Sequence, residues 1–326
     1  AWAAMLVFAG TILVYNIHYP ALYAFGQEIT EKQYYSRFTS WTEIIGQSTS
    51  ILSGSIAALL LSGISAGEHH LAGITLSIPF DIAPWSLQAI FLVDAITYAL
   101  GFLLIGMIRY TPIAERHREA GSAIDRIRTG LRFLKEHPLL FVFGNASYTI
   151  FVVLLVTVQQ LMPIYIDQHM HAGAGTYALS EVMYSIGAML AGVFMVWTFK
   201  RSGFIFGITV MMGLTVIIYT LFATTDHVLL FSLLCLLVGI TNAGTRVLRT
   251  TWMFQHVPNQ SIGRVSSVFQ TINILFRAVL SALFALPFFN RNDQIVFAFA
   301  LCAAFVAFWM IPILKNYKKL SEFEIP

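Results

Sequence analysis

Nine apolar segments, each about as long as a lipid bilayer is thick, leave this 326-residue chain little choice of solvent. They run over approximately 1–24, 38–63, 85–108, 139–166, 177–199, 203–223, 228–250, 265–289 and 294–314. A helix of roughly 20 apolar residues covers the ~30 Å hydrocarbon layer. Inside that layer each segment must be helical, because a backbone amide without a partner is costly there. Composition points the same way. Hydrophobic residues make up 57% and charged residues 11%, against ~25% charged in ordinary soluble domains.

The charges that remain are placed unevenly. The segment 25–37 carries Lys32 and Arg37, and 109–138 carries Arg109, Arg116, Arg118, Arg126, Arg128, Arg132 and Lys135. Lys200 and Arg201 sit in the next basic connection, Arg246, Arg249 and Arg264 around 246–264, and Lys315, Lys318 and Lys319 in the tail. The connections 64–84, 167–176 and 224–227 have no Lys or Arg; 290–293 has only Arg291. Basic residues collect on the cytoplasmic side of membrane proteins, so the basic connections and the C-terminus are expected inside. Ala1 then falls outside, already within an apolar run. This predicts three further spans upstream, roughly 80–110 residues by span length.

The connection 109–138 is the one extended basic segment. Ser122 to Asp125 resembles a capping box with Asp in place of Glu or Gln. Ile124, Ile127, Leu131 and Leu134 then recur at helical spacing, with basic residues on other faces. The pattern predicts an amphipathic helix at the inner membrane surface, ended by His137-Pro138. A nucleic-acid arm is the weaker reading of these charges. The chain also echoes itself: Ala21–Ser40 and Thr250–Ser267 each close a span, cross a short basic loop and open another. Arg37 and Arg264, Glu43 and Gln270, and Ser50 and Arg277 match at constant offset. Two parallel halves around a central cytoplasmic loop are a transporter architecture.

At these residues the chain resembles the major facilitator superfamily. The stretch Arg128 to Leu140 (RTGLRFLKEHPLL) resembles the entry to span 7 of its drug- and siderophore-exporter branch, which includes macrolide-efflux and enterobactin-exporter-like proteins. Pro20 to Leu61 resembles the end of span 4 through span 5, and Val257 to Arg264 (VPNQSIGR) the loop between spans 10 and 11. The resemblance implies an all-α polytopic membrane protein, a major facilitator fold lacking its first three helices. It also implies a division into 1–108 (spans 4–6 of the N-terminal bundle), 109–138 (linker), 139–314 (spans 7–12) and 315–326 (tail). It departs from the family at Gly54, where Pro is expected in span 5, and at Lys200 to Gly203, a reduced copy of the family's Asp-Arg-x-Gly-Arg motif.

Polar groups inside spans are functional candidates by default. Glu43, Gln47 and Ser50 share one helix face; Gln270, Asn273 and Arg277 share another. In the resembling family these helices border the central cavity. Arg277 is expected to attract an anionic or acceptor-rich group and Glu43 to take a proton or a cation. Asn16, Tyr148 and Asn242 are further cavity-wall candidates, whereas Arg246 is expected to snorkel to the interface. Each could instead make a structural contact between helices. His169 and His171 lack a third ligand at metal-binding spacing. Cys235 and Cys302 lie in apolar runs and suggest neither disulfide nor zinc site. No cofactor, metal site, catalytic constellation or nucleic-acid partner is expected.

The resemblance implies a monomeric exporter in the bacterial inner membrane, moving a small amphipathic molecule, drug- or siderophore-like, by alternating access with proton coupling. A lysophospholipid flippase and a non-transporting receptor or scaffold built on the basic segment are the alternatives.

Overall fold

The computed structural model describes residues 2–63, 67–71, 74–78, 81, 83–110, 123–289 and 294–322. The expected capping residue Ser122 lies outside them, as do Arg116, Arg118 and Arg291 and the side chains of Asn16, Asp125 and Arg126. Helix dominates, as the apolar segments require. The order is α1 (Trp2–Ile29), α2 (Tyr35–Ser62), a hairpin of β1 (Gly67–Leu71) and β2 (Ile74–Ile78), α3 (Leu87–Gly106) and α4 (Ala123–Glu136). There follow α5 (Pro138–Val156), α6 (Met162–Ile164), α7 (Ala174–Phe199), α8 (Phe204–Phe222), α9 (Val228–His256), α10 (Asn259–Phe284), α11 (Ile295–Lys315) and α12 (Tyr317–Glu322). Among the described residues, seven helices are long and apolar enough to span a membrane. α1 and α2, 28 residues each, occupy the first two expected spans.

The chain divides into two compact units, Gly46–His117 and the remainder, Ala1–Ile45 with Arg118–Pro326. The smaller unit holds the end of α2, the hairpin and α3. The hairpin falls in the connection 64–84; its strands pair antiparallel from Gly67↔Ile78 to Leu71↔Ile74. Trp85 N donates to Leu60 O at 2.7 Å, and Ser86 caps α3 by accepting from Ala89 N at 3.2 Å. α3 has no buried residue, and Phe102 is 78% exposed. An apolar helix exposed on all sides is stable only where the solvent is lipid.

In the larger unit, α5 continues through a π-helical turn at Thr157–Leu161, the short α6 and a second π-helical turn at Tyr165–His169. The whole is one helix from Pro138 to His169. Pro163 sits between the widened turns, where its missing N–H and its ring disturb a regular α ladder. α7 packs along α9, α8 along α9 and α11, and α10 against α1, α4 and α5. The α7–α9 contact rests on glycines: a Cβ on Gly187 would strike Leu236 O, and one on Gly239 would strike Tyr184 O. Small residues of this kind let helix backbones approach in lipid. Tyr165, Phe222, Phe231 and Phe299 form a buried aromatic cluster.

α4 ends at Glu136 as the sequence pattern suggests, with His137 breaking it from α5. It packs against α10. Leu134 is buried, and Gly130 lies so close to α10 that a Cβ would stand 3.1 Å from Arg264 O.

Candidate functional site

α9 carries Asn242, Arg246 and Arg249 at i, i+4 and i+7, which a helix turns to one face. All three reach neighbouring helices. Arg246 Nη2 donates to Glu43 Oε1 of α2 at 2.5 Å, with the side chains 18% and 5% exposed. Glu43 can come this close because Gly192 of α7 has no side chain; a Cβ there would stand 2.8 Å from Ile44 and 3.5 Å from Glu43 Cβ. Asn242 Nδ2 donates to Tyr184 Oη of α7 at 2.8 Å. Arg249 Nη1 donates to Ser147 O of α5 at 3.1 Å, and its guanidinium carbon lies 3.6 Å over the Tyr148 ring.

Arg246, Arg249 and Tyr148 border a cavity of about 20 Å³, roughly the room one water needs. Tyr19, Tyr23, Tyr148 and Phe151 form its aromatic wall; Arg246, Arg249 and Gln270 form its polar part. Arg249 is 3% exposed. Among the described residues, Glu43 is the one carboxylate in salt-bridge contact with this group.

Toward the basic loops the same helices are clasped. Gln27 Nε2 donates to Phe254 O at 2.9 Å and Val257 O at 2.8 Å. Thr39 and Thr251 share a hydroxyl hydrogen bond of 2.7 Å, and Asn259 Nδ2 donates to Ala24 O at 3.1 Å. Tyr23, Tyr35 and Phe38 pack around the Phe254 ring. Gly26 makes room: a Cβ there would overlap Phe38. The clasp joins the two echoing segments of the sequence, Ala21–Ser40 and Thr250–Ser267.

The structure gathers some of the expected site residues and separates others. Tyr148 and Gln270 line the cavity, Glu43 reaches it through Arg246, and Asn242 lies on the same α9 face. Asn273 is buried on α10, with no hydrogen-bond partner for either amide atom among the described residues. Arg277 is half-buried one turn further on and is not among the residues lining this space. Gln47 belongs to the smaller unit. Asn16 is on α1, its side chain outside the described residues.

Two expectations are corrected. Arg246 does not snorkel; it is held by Glu43. Arg249, counted with the loop charges near 246–264, lies within α9, which continues to His256. The signal in the sequence for this group is the 242–246–249 spacing, which places three polar side chains on one helix face.

The family model of the Major Facilitator Superfamily matches residues 1–281. No curated protein matches the sequence. Among solved structures, the chain is similar to the crystal structure of a bacterial homologue of the iron transporter ferroportin in an outward-facing state. The TM-score is 0.59 at 15% identity, covering 90% of this chain and 66% of that one. At such identity the likeness speaks for the fold alone.

Proposed function

The chain belongs to the major facilitator superfamily, and on that premise we propose that it serves as a secondary transporter, exporting an amphipathic small molecule of drug or siderophore type by alternating access. The two-bundle division around residues 109–138 and coupling to the proton gradient are part of this proposal. The observation that carries it is the buried Glu43–Arg246 pair, joining α2 to α9 beside a cavity. Buried charges are expensive in a membrane interior and mark transport pathways. The charges that matter lie within helices, which favours transport over a receptor or scaffold built on the basic central segment.

With the basic loops taken as cytoplasmic, the clasp of Gln27, Thr39, Thr251 and Asn259 supports a closed cytoplasmic end. Opening it would need those hydrogen bonds to break while another set forms at the far end, which is the logic of alternating access. Glu43 is the carboxylate placed to exchange a proton when its contact with Arg246 loosens.

The test is reconstitution of the intact protein in proteoliposomes with an imposed pH gradient. A panel of amphipathic dyes and catecholate or hydroxamate chelators would be offered. Gradient-driven movement of at least one compound, lost in Glu43→Gln, is the expected result. Movement of none, under gradients of either sign, would overturn the reading.

A further inference from the structure

The charges at the cavity do not balance. Arg246 and Arg249 bring two positive charges, Glu43 one negative, and the other lining groups (Tyr19, Tyr23, Tyr148, Phe151 and Gln270) are neutral. Arg246 is matched by Glu43. Among the described residues, the contacts of Arg249 are the Ser147 carbonyl and the Tyr148 ring face, neither of which bears a formal charge. Its Nε is buried and has no hydrogen-bond partner among the described residues; the same holds for Arg246 Nε. A guanidinium that is 3% exposed and lacks a counter-charge is costly to keep in a membrane interior. It is also poised for a planar oxyanion, since guanidinium donors match carboxylate geometry.

We propose that Arg249, seated on Tyr148, is an anion subsite, and that the cargo carries one anionic oxygen group, such as a carboxylate, on an aromatic or lipophilic body. This rests on the transport reading for the word cargo, but the binding claim stands on the cavity alone. The surplus of one positive charge selects a monoanion over a neutral or cationic molecule. The ~20 Å³ of space admits the oxygen-bearing tip, and the ring-lined wall favours an aromatic group next to it. Arg246 sets the limit on charge: while Glu43 holds it, one guanidinium remains to be neutralised.

Three probes of one shape test the charge class: 1-naphthoate, 1-naphthamide and 1-naphthylmethylammonium. Their binding to the intact, detergent-purified protein is measured by titration calorimetry. Naphthoate should bind saturably and about tenfold or more tighter than either analogue, as expected for a charge-assisted contact. Arg249→Gln should remove that preference, whereas Lys200→Gln, on an exposed turn, should retain it. If Arg249→Gln does not fold, Tyr148→Leu is the second variant; it keeps the charge, removes its ring seat and should weaken naphthoate more than either analogue, narrowing the preference. Equal binding of the three probes, no saturable naphthoate binding, or an unchanged preference in Arg249→Gln or Tyr148→Leu would each overturn the proposal. Proteoliposome flux separates the two readings. Naphthoate that binds at Arg249 while no compound is moved defeats transport and leaves the subsite. Dye movement without anion preference defeats the subsite and leaves transport.

Discussion

Gly187 of α7 and Gly239 of α9 each face the backbone of the other's helix, with Leu236 O against the first and Tyr184 O against the second. Two backbones this close fix the register of α7 on α9. That register sets Tyr184 opposite Asn242, which in turn lies one helical turn from Arg246. The glycines therefore act on the charged pocket from a distance, through helix position.

Gly239→Val should be among the most damaging single changes in the chain. The new side chain meets backbone, which cannot swing away, so the cost should reach or exceed the roughly 1–3 kcal/mol typical of overpacking. Gly101→Ala, where an added Cβ meets nothing within 4 Å, should be neutral or slightly stabilising. Thermal unfolding in detergent, followed by tryptophan fluorescence, would compare them; equal melting temperatures would refute the packing argument.

Glu43→Gln should destabilise by about 3–5 kcal/mol, the cost of leaving a buried partner charge unmatched. Adding Arg246→Met should recover much of that loss, because the double variant has no orphan charge at this pair. The check is a double-mutant cycle on stability. Additive losses would mean that the two side chains do not depend on each other.

Gln27→Ala removes two hydrogen bonds to the carbonyls of Phe254 and Val257. Each is worth about 0.5–1.5 kcal/mol, so the clasp should open more often. A cysteine placed at Thr251, buried in the clasp, should then react faster with a membrane-impermeant maleimide. The native thiols give little background, since Cys235 and Cys302 are buried. An unchanged labelling rate would show that Gln27 does not hold the clasp.

Tyr165→Phe should lower stability by roughly 1–3 kcal/mol. The Tyr165 hydroxyl proton is shared between Phe222 O, at 2.9 Å, and Thr225 O. These carbonyls stand at and just beyond the end of α8, where helix acceptors lack partners within the helix. Removing the donor leaves them buried and unmet. Denaturation of the variant beside wild type decides it, and a melting temperature within error of wild type would count against the capping role.

The all-helical membrane class was legible in the residues because lipid enforces one rule on every segment: about 20 apolar residues, backbone satisfied within the helix. His137-Pro138 likewise announced its break, since the ring of Pro138 acts on the residue beside it. Local rules of this kind need no partner. The hairpin at Gly67–Ile78 has no such local signal, since each strand depends on the other as its partner. Arg249 was visible as a charge but not as a buried one, because its burial depends on Ser147 and Tyr148 of α5, about a hundred positions away.

What the sequence by itself determined is the solvent, the places where helices run, and which polar side chains those helices must carry. What only the tertiary structure decided is which of those polar groups meet. Glu43 and Arg246 are 203 positions apart, and nothing local to either selects the other. Their meeting depends on glycines at 192, 187 and 239 letting backbones close to a particular distance, and a partner that depends on distance exists only once the helices have packed.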